Sequence, residues 1–226
     1  MVTAGAPGFR ILAAPARLHP DVIASFNGMA ASNLADAMGR FHFMDPGMRA
    51  RGVLPLCGLA VTVCCRPADN LMVHKAVQYA EPGDVIVVNT CGNTTSAVFG
   101  ELMCRAAVAK GLGGIVVDGA IRDIEAIRQL GLPAFSRTVS AGGCDKDGPG
   151  EINVPISCGG TVVAAGDIVV GDADGVVVVP REQATEVLEQ VKLLMEREQK
   201  RIAEIDAGGL FRPDVDALLR EKGIIE

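Results

Sequence analysis

The stretch from residue 85 to residue 123, VIVVNTCGNTTSAVFGELMCRAAVAKGLGGIVVDGAIRD, decides the fold class. It begins with a short aliphatic run, Val85–Val88, that is typical of a buried strand. A small-residue loop at 91–96 follows, then a predicted helix that ends near Lys110, and then a second buried strand at Ile115–Val117. Two strands joined through a helix almost always run parallel, with a right-handed crossover. The stretch therefore predicts an α/β protein built on parallel strands.

The crossover geometry predicts a crevice at one edge of this sheet. A helix of ~11 residues rises about 16 Å and a strand of ~5 residues returns about 17 Å, so the helix start and the strand exit lie at the same edge. Glu101 lies near the helix start, and Arg122 and Asp123 lie just past the strand. Because open α/β folds bind ligands at the carboxyl edge of their strands, we expect these three side chains to share a binding site.

The residues at this edge suit a small oxoacid and a divalent cation. Unpaired backbone N–H groups at a helix start can hold a carboxylate, and a glycine there lets a ligand approach closely. Here these groups belong to Gly100, Glu101, Leu102 and Met103. Arg122 offers a planar fork for an oxygen anion, and Asp123 is a hard oxygen ligand for Mg²⁺ or Mn²⁺. Glu101 is placed to hold a water and relay a proton.

Further helices and strands are predicted on both sides of the crossover. Asp21–Met38 has helical spacing of its apolar residues, and Asp123 is expected to cap a short helix that ends near Leu130 and Gly131. The other predicted elements before residue 140 are a strand at Gly58–Cys65, a helix at Asp69–Ala80 and a strand at Phe135–Val139.

The C-terminal part of the chain changes from strands to helices. Residues 152–180 read as strands and turns, and Ala165–Val170 echoes the turn and strand at Pro82–Val87. Long charged helices are predicted at Arg181–Ala207 and Arg212–Lys222. Because no linker divides the sequence, we predict a single domain over residues 1–226, with a core at about 20–180 and a C-terminal helical arm at about 181–226.

Composition and charge limit the possible classes of function. Of 226 residues, 49% are hydrophobic and 4% aromatic, and the mean hydropathy of +0.32 suggests apolar surface buried between subunits. The net charge of −6 and the absence of a Lys/Arg run argue against nucleic-acid binding. Seven cysteines, an odd number, together with an N-terminus that lacks the apolar core of a signal peptide, predict a cytoplasmic protein without a membrane segment.

Four motifs resemble one enzyme family. They are NLADAM (33–38), PGDVIVV (82–88), GELMCRAAVAKGLGGIVVDGAIRD (100–123) and GDIVVGDADGVVVVP (166–180). The third motif, with Glu101, twenty residues and then Arg122-Asp123, is similar to the signature of the class II 4-hydroxy-4-methyl-2-oxoglutarate/4-carboxy-4-hydroxy-2-oxoadipate aldolases. These aldolases fall within the RraA-like family, which includes regulators of ribonuclease E. The resemblance covers roughly residues 20–205, and Glu101 stands where some relatives have Asp, which changes the reach of the carboxylate by one methylene.

The resemblance implies a fold, an assembly and a reaction. It implies a swivelling β/β/α fold, a homotrimer or hexamer, and retro-aldol cleavage of a 4-hydroxy-2-oxo acid to release pyruvate. Asp123 would hold the divalent metal largely through waters, and Arg122 would face the developing enolate. Oxaloacetate decarboxylation is a common companion activity, and aromatic degradation is the suggested setting. Relatives also supply a glutamate from the C-terminal helix of a neighbouring subunit, for which Glu198 is the first candidate here and Glu196 the second.

Alternative interpretations of the sequence remain open. The same family fold also serves non-enzymatic regulators that bind a ribonuclease, and a different hydroxy-oxo acid could be the substrate. Arg66 and Arg137 are candidates for binding the group on C4 of the substrate, because each lies near a strand end. The motifs at Asp145–Gly148 and Asp172–Gly175 begin like calcium loops but lack the closing Glu, so turns are expected there.

Overall fold

Aliphatic runs form the strands and Gly- or Asp-containing segments form the turns in the computed structural model, which describes residues 4–212 and 214–226. The strands are β1 (Ala4–Ala6), β2 (Phe9–Ile11), β3 (Arg49–Ala50), β4 (Leu56–Cys65), β5 (Val85–Asn89), β6 (Ala97–Phe99), β7 (Gly114–Ile121), β8 (Ala134–Val139), β9 (Gly150–Ile152), β10 (Ile156–Cys158), β11 (Thr161–Val163), β12 (Ile168–Gly171) and β13 (Val176–Val179). The helices are α1 (Pro20–Ala24), α2 (Ala31–Ala37), α3 (Leu71–Tyr79), α4 (Glu101–Ala109), α5 (Ile124–Leu130), α6 (Ala184–Asp206) and α7 (Asp214–Glu221), with a 3₁₀ turn at Arg181–Gln183.

The parallel crossover predicted from residues 85–123 is confirmed. Strands β5 and β7 are parallel neighbours, with Val87 opposite Val116, and α4 lies between them in the chain. Along its main path the sheet has the order β1-β2-β9-β4-β5-β7-β8-β3, with β12 added beside β4 and β13 beside β12. Gly111 ends the helical segment with a φ of +73°, a left-handed conformation that glycine adopts without steric cost.

The structure adds strand residues at both ends of the crossover. Residues 97–99 were expected to begin the helix, but they form β6, which pairs with Ala120 and Ile121 of β7. Strand β7 also continues past Asp118 to Ile121, beyond the predicted end at Val117. A three-residue apolar run carries no readable period, so only its burial against β7 identifies it as a strand.

The single helix predicted for Asp21–Met38 is wrong. The chain forms two short helices, α1 and α2, separated by a turn in which Gly28 has a φ of +75°. The break lets Phe26 and Leu34 both become fully buried in one core with residues of β12 and β13. Asn27-Gly28 is a turn signal, and here it outweighs the helical spacing of the apolar residues.

The core lies in layers on both faces of the sheet. One face packs its aliphatic side chains against α3, α4 and α5, with Ile86 and Ile115 fully buried there. The opposite face, with Val87 and Val116, packs against the β10–β11 hairpin. A third cluster joins β12 and β13 to α2 and the first turns of α6. The mixed α/β single domain with C-terminal helices is therefore confirmed.

The two similar turns noticed in the sequence have the same local structure. Gly83 and Gly166 both have a φ of +84°. Asp84 accepts a hydrogen bond from the Glu81 N–H at 2.8 Å, and Asp167 accepts one from the Ala164 N–H at the same distance. The strands that follow, β5 and β12, both pair with β4. Sequence similarity therefore predicted structural similarity here.

The helical arm confirms the predicted helices at the C-terminus. α6 buries Val187 and Val191 near its start, and its later turns and α7 are largely exposed. Within residues 4–212 and 214–226, none of the helices is long and apolar enough to cross a membrane. The division of the chain near residue 180 into core and arm stays a prediction.

Candidate active site

The predicted crevice is a cavity of about 240 Å³ between the start of α4 and the end of β7. Glu101, Arg122 and Asp123 all line it, as the crossover geometry predicted. The other lining residues are Asn70, His74, Ala97, Gly100, Leu102, Met103, Gly143, Cys144 and Lys146. Every residue predicted from the crossover therefore meets at one site, although the chain between Glu101 and Arg122 includes a full helix and strand.

Asp123 joins the two sides of the cavity. Its backbone has a φ of +59°, which is uncommon for a residue other than glycine. It occupies the cap position of α5, but its side chain makes no capping bond to that helix, contrary to the role expected from sequence. Its Oδ2 instead accepts a hydrogen bond from the Glu101 N–H of α4 at 2.9 Å. The left-handed backbone thus points this carboxylate into the cavity rather than along its own helix.

Gly100 is required for this close approach. A Cβ at residue 100 would lie 2.6 Å from Oδ2 of Asp123 and 3.1 Å from Nε of Arg122. The φ of Gly100 is −146°, so the position demands space and not a left-handed backbone. The Glu101 amide, predicted to bind substrate, is occupied by Asp123. The first-turn amides of Leu102 and Met103 still lack partners within the helix and can bind an anion.

The Arg122 guanidinium is available to a ligand. Its Nε lies 3.7 Å from Oδ2 of Asp123, which is beyond hydrogen-bond distance, and both side chains are more than 40% exposed. In the part of the chain that the structure describes, this guanidinium makes no side-chain hydrogen bond. Its backbone N–H is fixed by the Phe99 carbonyl at 2.9 Å. The backbone is therefore anchored while the charged head stays free.

Glu101 has a partner that the sequence interpretation did not include. Its Oε1 accepts from Nε of Arg105 at 2.8 Å and lies 2.6 Å from Nη2 of the same residue, one turn along α4. Glu101 lines the cavity, but its carboxylate pairs with Arg105 and not with Arg122. A water-holding role for Glu101 stays a prediction. It requires the carboxylate to bind a water while it stays paired with Arg105.

The nearby thiol Cys104 is not a nucleophile at neutral pH. It is fully buried beneath the start of α4. Burial, with a smaller contribution from the Asp123 carboxylate, raises the pKa of the Cys104 thiol to about 12. The protonated thiol acts as a packing residue behind the site, and covalent chemistry through it has no support.

The donor set at the cavity fits a hydrated hard cation. In the described part of the chain no cluster of three or more His, Cys, Asp or Glu side chains could enclose a metal. Mg²⁺ commonly binds through one or two carboxylates and keeps several waters, so a single exposed aspartate in a small polar cavity is adequate for it. Zinc, which prefers several nitrogen or sulfur ligands, fits poorly. Asp123 is thus the residue that would hold Mg²⁺ or Mn²⁺.

The cavity includes residues that were not predicted, and it does not include Arg66 or Arg137. Neither Arg66 nor Arg137 is among the lining residues, because Arg66 pairs with Asp69 at 3.4 Å and Arg137 pairs with Asp118 and Asp45. The additional cationic or polar groups are Asn70, His74 and Lys146, which sequence reasoning missed. The loop that carries Lys146 reaches the cavity because the Asn70 N–H donates to the Asp145 carbonyl. No local motif signals such a long-range contact.

Glu198 lies away from the cavity within one chain. It is on α6, where its Oε2 accepts from Nδ2 of Asn33 at 2.8 Å, and it lines a separate depression with Arg197 and Arg201. Glu196, the second candidate, is also exposed on α6. Contribution of either residue to the site of a neighbouring subunit stays a prediction.

Another cavity, of about 270 Å³, lies under residues 14–17 at a different part of the sheet. Its arginine, Arg17, already pairs with Asp84 at 2.8 Å and with Glu81 at 3.4 Å. The hydrogen bond to Asp84 raises the pKa of Arg17 above its ordinary value, against the effect of partial burial. Because its charges are satisfied, this cavity is a weaker candidate for chemistry than the one at α4.

The fold and the cavity define a class: α/β proteins with a small polar cavity at the carboxyl edge of parallel strands, between a helix start and an arginine. Comparison with known proteins then gives the family. The profile of the RraA-like family, described as aldolase/RraA, matches residues 31–178, and the chain belongs to this family.

Three relatives illustrate the likeness. A protein of Halalkalibacterium halodurans, provisionally named a 4-hydroxy-4-methyl-2-oxoglutarate aldolase, is 48% identical over 135 residues, which is 60% of this chain and 64% of that protein. A crystal structure of an uncharacterized Pseudomonas syringae protein superposes with a TM-score of 0.77 at 27% identity, over 85% of this chain and 92% of that one. Streptomyces coelicolor RraAS2, described as an unusual member of the RNase ES inhibitor RraA family, gives 0.73 at 26% identity, over 84% and 98%.

Proposed function

We propose that this protein is a divalent-metal-dependent aldolase that cleaves a 4-hydroxy-2-oxo acid and releases pyruvate. 4-Hydroxy-4-methyl-2-oxoglutarate and 4-carboxy-4-hydroxy-2-oxoadipate are the proposed substrates. The observation that carries the proposal is the convergence of Arg122, Asp123 and the α4 N-terminus on one small cavity. The name of the H. halodurans relative supports the same reaction class.

Asp123 would hold Mg²⁺ or Mn²⁺, which supplies Lewis-acid polarisation of the substrate's 2-oxo group. The amides of Leu102 and Met103 are suited to bind the C1 carboxylate, because first-turn N–H groups and the helix dipole favour an anion. Arg122 is suited to face the oxygen on C2, where negative charge develops. Its backbone is anchored, and its exposed guanidinium has only the loose 3.7 Å contact with Asp123, so it is free to bind this oxygen.

The cleavage balances as a proton transfer and a bond rearrangement. The C4 hydroxyl loses its proton to a base and its oxygen forms a carbonyl with C4 as the C3–C4 bond breaks. The electron pair of that bond passes into the enolate at C2–C3, and the C4 fragment leaves as a second oxo acid. The enolate then takes a proton at C3 and becomes pyruvate. Glu101 is the proposed residue for relaying that proton through a water, and Glu198 or Glu196 of a neighbouring subunit is the proposed second carboxylate.

Two further activities belong to the same proposal. Decarboxylation of oxaloacetate passes through the same enolate of pyruvate, so Arg122 would stabilise it in the same way. A trimer or hexamer would bring the exposed α6 of one subunit near the cavity of another, which the carboxylate from α6 requires. The exposed apolar side chains of the arm, such as Ile202 and Phe211, are consistent with burial between subunits.

A coupled assay tests the proposal. Purified protein with Mg²⁺ and 4-hydroxy-4-methyl-2-oxoglutarate or oxaloacetate is added to lactate dehydrogenase and NADH, and absorbance at the NADH band is followed. We expect metal-dependent pyruvate release that EDTA abolishes and added Mg²⁺ or Mn²⁺ restores. If none of the tested hydroxy-oxo acids releases pyruvate with metal supplied, the proposal is wrong.

A second candidate function is regulation of a ribonuclease. The likeness to RraAS2, at a TM-score of 0.73, favours it because that protein is described within an RNase inhibitor family. Such a regulator would bind its partner through an outer surface and would not need an exposed Arg122 guanidinium inside a cavity. Inhibition of a purified ribonuclease E by a catalytically inactive Asp123→Ala protein would support this candidate.

A further inference from the structure

The cavity at α4 has a second cationic residue besides Arg122. Lys146, on the loop between β8 and β9, lines the same cavity and forms no ion pair with a described residue. The Lys146 ammonium also acts on His74, which lines the same cavity. Burial, and then the nearby Lys146 ammonium, lower the pKa of His74, so this imidazole is neutral at pH 7 and adds no charge.

Arg122, Lys146 and Cys144 all line this cavity. The pKa of the Cys144 thiol is raised, first by burial and then by Asp69 and Asp145, while Arg122 and Lys146 both act to lower it. Both cations are therefore within electrostatic reach of this one side chain. A Cβ at Gly143, one residue before Cys144, would lie 3.3 Å from Nη1 of Arg122.

Asn70 is an independent feature of this cavity that suits a polar ligand. The residue is 8% exposed, and its Nδ2 donates to the Val98 carbonyl at 3.2 Å, which fixes the orientation of the amide. Its Oδ1 is buried and accepts no hydrogen bond from any residue that the structure describes. A buried acceptor without a donor costs about 1–3 kcal/mol, so a ligand with a hydroxyl is a suitable partner. The substrate's C4 hydroxyl is such a group.

The charges at the cavity favour a ligand with two carboxylates. The carboxylate of Glu101 is paired with Arg105, and that of Asp123 is the proposed metal ligand. A mono-carboxylate bound at the α4 amides would leave the Lys146 ammonium without an anion. We propose that Lys146 binds the distal carboxylate of the substrate and selects 4-hydroxy-2-oxo diacids over mono-acids. This proposal rests on the proposed function, because that function orients the 2-oxo end toward Arg122.

A binding experiment with unreactive ligands tests the role of Lys146. 2-Oxoglutarate and 2-oxopentanoate differ only in the distal group, carboxylate or methyl, and neither has the C4 hydroxyl needed for cleavage. Calorimetric titration of the wild-type protein with Mg²⁺ should give a Kd about tenfold lower for 2-oxoglutarate, as one charge-assisted hydrogen bond provides. Lys146→Met should bring the two Kd values together, and Lys146→Arg should keep most of the difference.

Lys75→Met is the matched control. Lys75 is adjacent to His74 in sequence, but its Nζ contacts the Gln78 side chain and it does not line the cavity. This variant should keep the wild-type preference for 2-oxoglutarate, which separates a specific contact from a general change in charge. The proposal is overturned if the wild-type protein shows no preference for the diacid, or if Lys146→Met keeps that preference.

The same proteins distinguish this proposal from the proposed function. If the wild-type protein releases no pyruvate while Lys146→Met removes the diacid preference, the reaction is wrong and the carboxylate subsite stands. If pyruvate is released while Lys146→Met leaves the ratio of Kd values unchanged, the aldolase stands and the subsite is wrong.

Discussion

Two arginine–aspartate pairs lie around β7, and they differ in how fully they are satisfied. In the first pair, Nε of Arg137 binds Asp118, whose other oxygen accepts from the Gly159 N–H at 2.7 Å. Arg137 also contacts Asp45 at 3.2 Å. In the second pair, Arg122 and Asp123 are 3.7 Å apart and exposed. The first pair links β7 and β8 to two loops, while the charges of the second pair remain available to a ligand.

The difference teaches that residue types alone do not mark a site. The hydrogen bond to Asp118 raises the pKa of Arg137 above its ordinary value and outweighs burial, which acts to lower it, so this pair is committed to the fold. Asp123, by contrast, has a left-handed backbone that withholds its side chain from its own helix. Strained residues of this kind are concentrated at functional sites, where the surroundings hold them in place.

The largest expected effect is that of Asp123→Ala. Because Asp123 is the one carboxylate proposed to hold the cation, this variant should lose metal-dependent pyruvate release altogether in the coupled assay. Asp123→Asn keeps an acceptor for the Glu101 N–H and is the matched control for folding, which circular dichroism and gel filtration report. Near-wild-type turnover of Asp123→Ala would contradict the assigned role.

The next effect is that of Arg122→Ala. Removing a donor that faces a developing oxyanion typically lowers turnover by ~10²–10³. The loss should appear in kcat, because the guanidinium is proposed to act on charge that forms only in the transition state. Arg105→Ala, which removes the partner of Glu101 on the same helix, is the comparison variant and should retain far more activity. Equal losses in the two variants would show that Arg122 has no special role.

Sequence alone predicted which residues line the candidate cavity better than it predicted the helices and loops around it. Glu101, Arg122 and Asp123 could be brought together because the parallel crossover is a strong topological rule. The N-terminal helix failed because a glycine turn, needed to bury Phe26, interrupts a regular apolar spacing. Lys146 and Asn70 were missed because a loop reaches the cavity through contacts between residues far apart in the chain, and no local pattern records such contacts.

Arg137→Met should sharpen the comparison by affecting stability more than chemistry. Of the two donors described above, the Asp118 carboxylate then keeps only the Gly159 N–H. Because a part-buried carboxylate loses its charged partner, we expect the free energy of unfolding to fall by about 2 kcal/mol. For a domain of this size that corresponds to a Tm lower by roughly 4–8 °C. Urea unfolding and calorimetry measure the change, with Arg122→Met as the partner variant. Similar destabilisation by both substitutions would remove the distinction between the pairs.

The smallest effect concerns Asp69, a third carboxylate that is satisfied mainly by the backbone. Burial acts to raise its pKa, but N–H groups of Leu71, Asp147 and Gly148 outweigh burial and hold the pKa below the ordinary value. Because the folded pKa is the lower one, the ionised carboxylate stabilises the fold above the unfolded pKa of about 3.9, and this contribution is lost as the pH falls through the folded pKa.

Asp69→Asn should therefore lower the free energy of unfolding by about 1 kcal/mol at pH 7. The difference from wild type should begin to shrink below about pH 4, where the carboxyl of the unfolded chain becomes protonated, and should be lost once the pH is below the folded pKa. Urea unfolding of both proteins at pH 7, 5 and 3.5 measures this difference. Exposed Asp21→Asn is the control and should show little difference at any of these values. If the difference in the free energy of unfolding between Asp69→Asn and wild type stays constant with pH, the charge of Asp69 contributes nothing to stability. The effect of the substitution would then come from packing and neutral hydrogen bonds alone.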